Sequence, residues 1–200
     1  MPQEMFRWFA LAVLVAAIGV SGFHRRRARL RSGTIPRSRE TSILIAGRLL
    51  VALPLFGGSI AYIINPAWTE WSSFEAPAWL RWIGVALGVC VVPAVHLVLT
   101  ALGSNVSETV LVKERHELVT SAGPYRWIRH PLYTTGIALF VSLGLMASNW
   151  FILVMALIAL VLIRVVVVPR EEKELVTRFG SAYEVYQRRT GAMSPRLRSG

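Results

Sequence analysis

Five apolar runs organise the chain: Met5 to Phe23, Ser42 to Ile64, Trp79 to Ala101, Leu132 to Ala147 and Trp150 to Val168. Each approaches the roughly 20 residues that an α-helix needs to cross a bilayer core. The pattern predicts an all-α fold, an integral membrane helical bundle of five transmembrane helices. Pro54 and the Gly57-Gly58 pair predict a kink or a close helix contact in the second span, and Pro93 a mild break in the third. The last two runs are joined by little more than Ser148-Asn149, which forces an antiparallel hairpin. That hairpin returns Pro169 to Lys173 to the neighbourhood of Arg129 and His130. Beyond it, Leu175, Val176, Phe179, Tyr183 and Tyr186 recur at spacings near 3.6, so PREEKELVTRFGSAYEVYQRR reads as one amphipathic helix lying at the interface. Residues 1–102 then hold three spans, and 103–200 hold a loop, the hairpin and the C-terminal helix.

Composition agrees with the pattern. With 54% hydrophobic and 16% charged residues and a mean hydropathy of +0.51, the chain is too apolar for a soluble domain of its size. A net charge of +11 raises nucleic acid as a partner, and the placement of the charge argues against it. Of 22 Lys and Arg, seven lie between His24 and Glu40, four between Gly103 and Pro131 and seven from Pro169 onward, while Asn65 to Ala78 has none. Alternating basic and non-basic connections are the positive-inside pattern: the N-terminus is expected outside, the C-terminus in the cytoplasm, with anionic membrane lipids as counter-charge. The plasma membrane is the expected location, and no nucleic acid partner is expected, because no basic run is interleaved with stacking aromatics. The first run has the length of a secretory signal, but RRRARLR follows it rather than preceding it, so it reads as a true span. Trp68, Trp71, Phe74 and Trp79 suit an outer aromatic belt. Arg48 is placed to snorkel to the inner surface. The single cysteine, Cys90, can form no disulfide within the chain and has no neighbours at zinc-ligand spacing.

The densest chemistry lies in residues 116–133, HELVTSAGPYRWIRHPLY, which place two His, two Arg, two Tyr, two Pro and a Gly in eighteen positions. Gly123-Pro124 predicts a turn and Pro131 a helix start. A helix beginning there would present unpaired N–H groups and the positive end of its dipole, with Arg129 and His130 alongside, as an anion site. For His96, about two turns from the inner end of the third span, a hydrogen bond to a neighbouring helix is expected ahead of a catalytic role.

HELVTSAGPYRWIRHPLY, then a two-span hairpin, then EEKEL, FG, the Tyr183/Tyr186 pair and Pro195, together resemble the isoprenylcysteine carboxyl methyltransferase family. These are integral membrane S-adenosyl-L-methionine enzymes, with phospholipid methyltransferase-like members among them. The resemblance covers residues 116–195; upstream it rests on span count. The RHPxY element also occurs in membrane sterol reductases, and its combination with HxLV and EExxL is the more specific signal. The resemblance implies cofactor contacts from His116, Leu118, Val119 and Tyr125, from His130, Pro131, Leu132 and Tyr133, and from Glu171 with Glu172 beside it. It makes residues 103–200 the cofactor-binding core. The substrate-binding Arg that eukaryotic members carry four residues before the acid is Val167 here, so Arg164, Arg170 and Arg129 are the basic residues left for a catalytic role.

The implied chemistry matches the residue types. The cofactor carboxylate suits the helix start with Arg129 and His130, its ammonium suits Glu171, and Leu118, Val119 and the tyrosine rings can enclose adenine. Methyl transfer is an in-line displacement that needs no metal. The expected acceptor is a lipid-like or small molecule with an S, O or N nucleophile, a prenylcysteine-type carboxylate among them. Two alternatives stay open: an NADPH-dependent sterol-type membrane reductase and a non-enzymatic membrane scaffold.

Overall fold

A computed structural model describes residues 2–32, 42–103, 118 and 120–196. The order of helices is α1 (Pro2–Ser32), α2 (Ser42–Ile64), α3 (Ala78–Leu102), α4 (Pro131–Ala147), α5 (Trp150–Leu162), α6 (Val168–Phe179) and α7 (Ser181–Arg189). Short 3-10 turns occupy Pro66–Ser72 and Gly123–Arg126. Among the described residues no strand forms, only isolated bridges at Ser73–Asn149 and Ile128–Gly191. The fold is all-α. Three helices are long and apolar enough to cross a membrane, Glu4–Leu30, Ala78–Leu102 and Trp150–Phe179, and two shorter apolar helices are Leu49–Ile64 and Pro131–Ala147.

The chain packs as two compact units, one drawn from Met1–Gly19, Thr41–Ala94 and Thr135–Val161, the other from Val20–Glu40, Val95–Thr134 and Leu162–Gly200. In the first unit the α4–α5 hairpin is fixed at its tip by Asn149. Its Oδ1 accepts from Ile152 N at 3.0 Å, capping α5, and its Nδ2 donates to Ser72 Oγ at 2.6 Å, tying the tip to the 3-10 turn. Arg7 donates to the last carbonyls of α2, Ile63 at 2.6 Å and Ile64 at 2.8 Å, satisfying acceptors that a helix end leaves open. Of the Gly57-Gly58 pair, Gly58 is the one in contact, lying against Ile152 and Phe151.

In the second unit two features depart from the expected single interfacial helix. First, α5 does not end before Pro169. It runs through a π turn, Ile163–Val167, straight into α6. Pro169 supplies no N–H and its ring would strike the carbonyl four residues back, and a widened turn just before it relieves both. Second, the helix breaks at Gly180, whose φ of 55° and ψ of −135° are closed to a residue with a Cβ. The bend folds α7 onto α6, so Leu175, Tyr183 and Tyr186 bury one another, with Leu118, Val176 and Phe179 packed against them. The residues expected along one face of a straight helix face each other across a corner instead. Also in this unit, His96 lies 3.2 Å from His24 Nε2, the neighbouring-helix hydrogen bond expected of it.

Candidate functional site

The site grows from the loop before α4. The chain after α7 runs alongside that loop: Gly191 N donates to Trp127 O at 3.2 Å, Arg129 N to Gly191 O at 2.9 Å and His130 N to Ala192 O at 2.9 Å. Thr134 Oγ1 then donates to Met193 O at 2.8 Å. Gly191 is required here, since a Cβ would land on the Ser194 carbonyl oxygen. The carbonyls of this strap, residues 191–193, thus accept from the Arg129 and His130 amides, just before α4, and from the Thr134 hydroxyl in its first turn.

Against the loop stands the acidic pair of α6. Glu172 Oε1 receives Arg129 Nε at 2.7 Å and lies 3.2 Å from His130 Nε2, while its Oε2 receives Gln187 Nε2 at 2.9 Å. Arg129 Nη1 in turn donates to the carbonyls of Gln187, at 3.1 Å, and of Thr190. Glu172 and Arg129 therefore clamp loop, α6 and α7 together, with side chains only 15% and 11% exposed. Burial works to raise the Glu172 carboxyl, but hydrogen bonds from His130 and Arg129 outweigh it and hold the pKa at about 2.

Glu171 is placed differently. Its Oε2 accepts from Tyr133 Oη at 3.1 Å and sits 3.5 Å from His130 Nδ1, and its Oε1 has no hydrogen-bond partner among the described residues. Burial raises its pKa above the ordinary 4.5, against the lowering pull of His130 and the Tyr133 hydrogen bond. The His130 and Tyr133 rings lie nearly parallel, 21° apart, with centroids 5.8 Å apart. The result is a half-satisfied carboxylate beside two aromatic rings, a place suited to a cationic group.

The other expected residues divide three ways. Tyr125 is buried and its carbonyl accepts from Tyr186 Oη at 2.5 Å; Leu118 packs on the Tyr183–Tyr186 cluster; Pro131 opens α4 with Leu132 half-buried behind it. His116 and Val119 lie outside the described residues. Arg164 and Arg170 are exposed and form no hydrogen bond or ion pair with a described residue. In a regular helix Arg164 would sit two turns from Glu171 on one face, and the intervening π turn shifts that register. Sequence reading missed Gln187, Thr190 and the strap 191–193. The signal was there: Tyr183, Gln187 and Thr190 follow one helical face and a Gly ends the run.

An all-α membrane protein whose loop and C-terminal helices close an Arg–His–Tyr cluster over two adjacent glutamates is the class that fold and site define. The phospholipid methyltransferase family model matches residues 79–182, and the chain belongs to that family. Two curated relatives are similar over part of it. The nickel-cobalt-cadmium resistance protein NccN of Alcaligenes xylosoxydans xylosoxydans is 38% identical over 81 residues, 40% of this chain and 37% of its own. The cobalt-zinc-cadmium resistance protein CzcN of Cupriavidus metallidurans is 35% identical over 85 residues, 42% of this chain and 38% of its own. The chain thus spans well under half the length of both. Among solved structures, the eukaryotic intramembrane Ras methyltransferase, isoprenylcysteine carboxyl methyltransferase, shares the fold with a TM-score of 0.62 at 21% identity, covering 98% of this chain and 68% of its own. The chain is an integral membrane protein.

Proposed function

We propose that this chain is a membrane methyltransferase that uses S-adenosyl-L-methionine, bound where Glu171 meets His130 and Tyr133. One observation carries the reading: an acidic pair just past an apolar helix, locked by Arg129 and Gln187 onto an aromatic loop, with Glu171 Oε1 left open by the described residues. Glu171 takes the ammonium of the cofactor's amino-acid end. Leu118 and Tyr125 line the adenosine side, and His130, Pro131, Leu132 and Tyr133 form the opposite wall. Glu172 and Arg129 act as positioning residues, because their polar atoms serve the clamp rather than a ligand. The cofactor, when bound, supplies a methyl group activated by its sulfonium. The protein's part is to align that methyl with the acceptor and to keep water away, which strengthens every charge interaction in the pocket.

The acceptor is a lipid-like or small molecule with an S, O or N nucleophile, reaching the site from the bilayer. Arg164 and Arg170, exposed on the approach to the acidic pair, are the cations available to an anionic acceptor in place of the Arg that Val167 lacks. The basic blocks support a cytoplasmic site and C-terminus and an N-terminus outside, with anionic lipids of the plasma membrane around them. Calorimetry on purified protein tests the reading. The wild type binds S-adenosylhomocysteine and Glu171→Gln binds it at least tenfold more weakly; equal affinity in the two removes the assignment. The shared RHPxY element motivates a sterol-type reductase as second reading, and NADPH binding in place of S-adenosylhomocysteine would favour it. Tracing labelled methyl groups into membranes of cells grown with and without cobalt or cadmium then identifies the acceptor.

A further inference from the structure

In the second unit, one fully buried side-chain polar atom has no hydrogen-bond partner among the described residues. Tyr183 is 2% exposed, and its hydroxyl forms no hydrogen bond with any described residue. Folded chains avoid leaving a buried donor unsatisfied, so such a group asks for an explanation. Tyr186 supplies the contrast: three residues on, in the same cluster, its hydroxyl donates to the Tyr125 carbonyl at 2.5 Å. Tyr183 lies one helical turn before Gln187, which reaches Glu172, so both project from the same face of α7 toward the acidic pair. Its ring packs edge-on against Tyr186, centroids 5.8 Å apart, in the cluster that also holds Leu175 and has Leu118 packed against it. Burial raises the phenol pKa, and the nearby Glu172 carboxylate raises it further, so the hydroxyl keeps its proton at neutral pH and remains a donor. The Glu172 carboxylate, close enough to act on this hydroxyl, accepts from Arg129 and Gln187 and lies against His130, and not from Tyr183.

We propose that the Tyr183 hydroxyl is a ligand-binding group, donating a hydrogen bond to an acceptor atom on the nucleoside half of the molecule held at Glu171. The inference rests on the cofactor reading above and extends it. The surroundings choose the half: partly exposed Leu118 offers apolar surface to a flat base, whereas an amino-acid head is drawn to the open oxygen of Glu171.

Two ligands and two variants test it in calorimetry: S-adenosylhomocysteine, and 5′-methylthioadenosine, which lacks the amino-acid head. Tyr183→Phe is expected to weaken both about tenfold, the worth of one hydrogen bond, whereas Glu171→Gln weakens only the first. Without ligand, Tyr183→Phe unfolds at the same temperature as wild type or higher, since it removes an unsatisfied donor. Unchanged affinity for both ligands in Tyr183→Phe, or a loss confined to S-adenosylhomocysteine, overturns the proposal. A lowered unfolding temperature without ligand overturns it too, by revealing a partner within the protein. A wild type that binds neither ligand removes the cofactor reading itself.

Discussion

At Glu172 the carboxylate gathers Arg129 at 2.7 Å, Gln187 at 2.9 Å and His130 at 3.2 Å, and its pKa of about 2 lies below the ordinary 4.5. A carboxyl depressed on folding contributes stability that is fully present above its unfolded value and is lost as pH falls through its folded value. Glu172→Gln is therefore expected to unfold more easily at pH 7, by ~2 kcal/mol, between the worth of an exposed and a fully buried pair. Between about pH 4.5 and 2 the wild type loses this advantage and the two melting curves converge, which thermal unfolding across that range measures. A gap that stays constant down to pH 2 would show that Glu172 is not the clamp. His130 and Tyr133 were legible in the sequence as residue types in a dense motif, and Glu171 through the EExxL element of the family it resembles. The division of labour between Glu171 and Glu172 was not, because it depends on Gln187 and on carbonyls of residues 187 and 190, whose contacts come from bends that the letters do not display.

The α5–α6 helix and the corner at Gly180 show what can be read of elements and where the reading stops. Apolar length and the short Ser148-Asn149 joint announced a hairpin, and a hairpin forms. A helix end before Pro169 was the natural expectation, and a π turn carries the helix past it. Helical spacing correctly grouped Leu175 with Tyr183 and Tyr186, but the group closes across a bend rather than along a straight face. The strap after α7 had no periodic signature, since its hydrogen bonds run to a loop some sixty residues away in the chain. Gly191→Ala tests it. The added methyl meets the Ser194 carbonyl, so the strap must shift, at about 1–3 kcal/mol. Hydrogen exchange at the Arg129 and His130 amides is expected to quicken while peptides from α1 keep their protection. Exchange that leaves those two amides unchanged would mean that the strap does not hold the loop.

For the molecule as a whole, membrane character was plain from the sequence, because apolar runs of spanning length do not depend on tertiary context. Membership in the phospholipid methyltransferase family, matched over residues 79–182, agrees with the order of motifs in the second half of the chain. The proposed cofactor pocket requires that α6 hold its acids against the loop that precedes α4. Ultraviolet crosslinking of methyl-labelled S-adenosyl-L-methionine to the purified full chain, followed by mass spectrometry of its peptides, addresses this most directly. Label is expected on peptides holding Leu118 to Tyr133 and Glu171 to Tyr186, competed away by S-adenosylhomocysteine and lost in Glu171→Gln. Label confined to α1–α3, or label in the second half that Glu171→Gln leaves untouched, would contradict the proposed pocket.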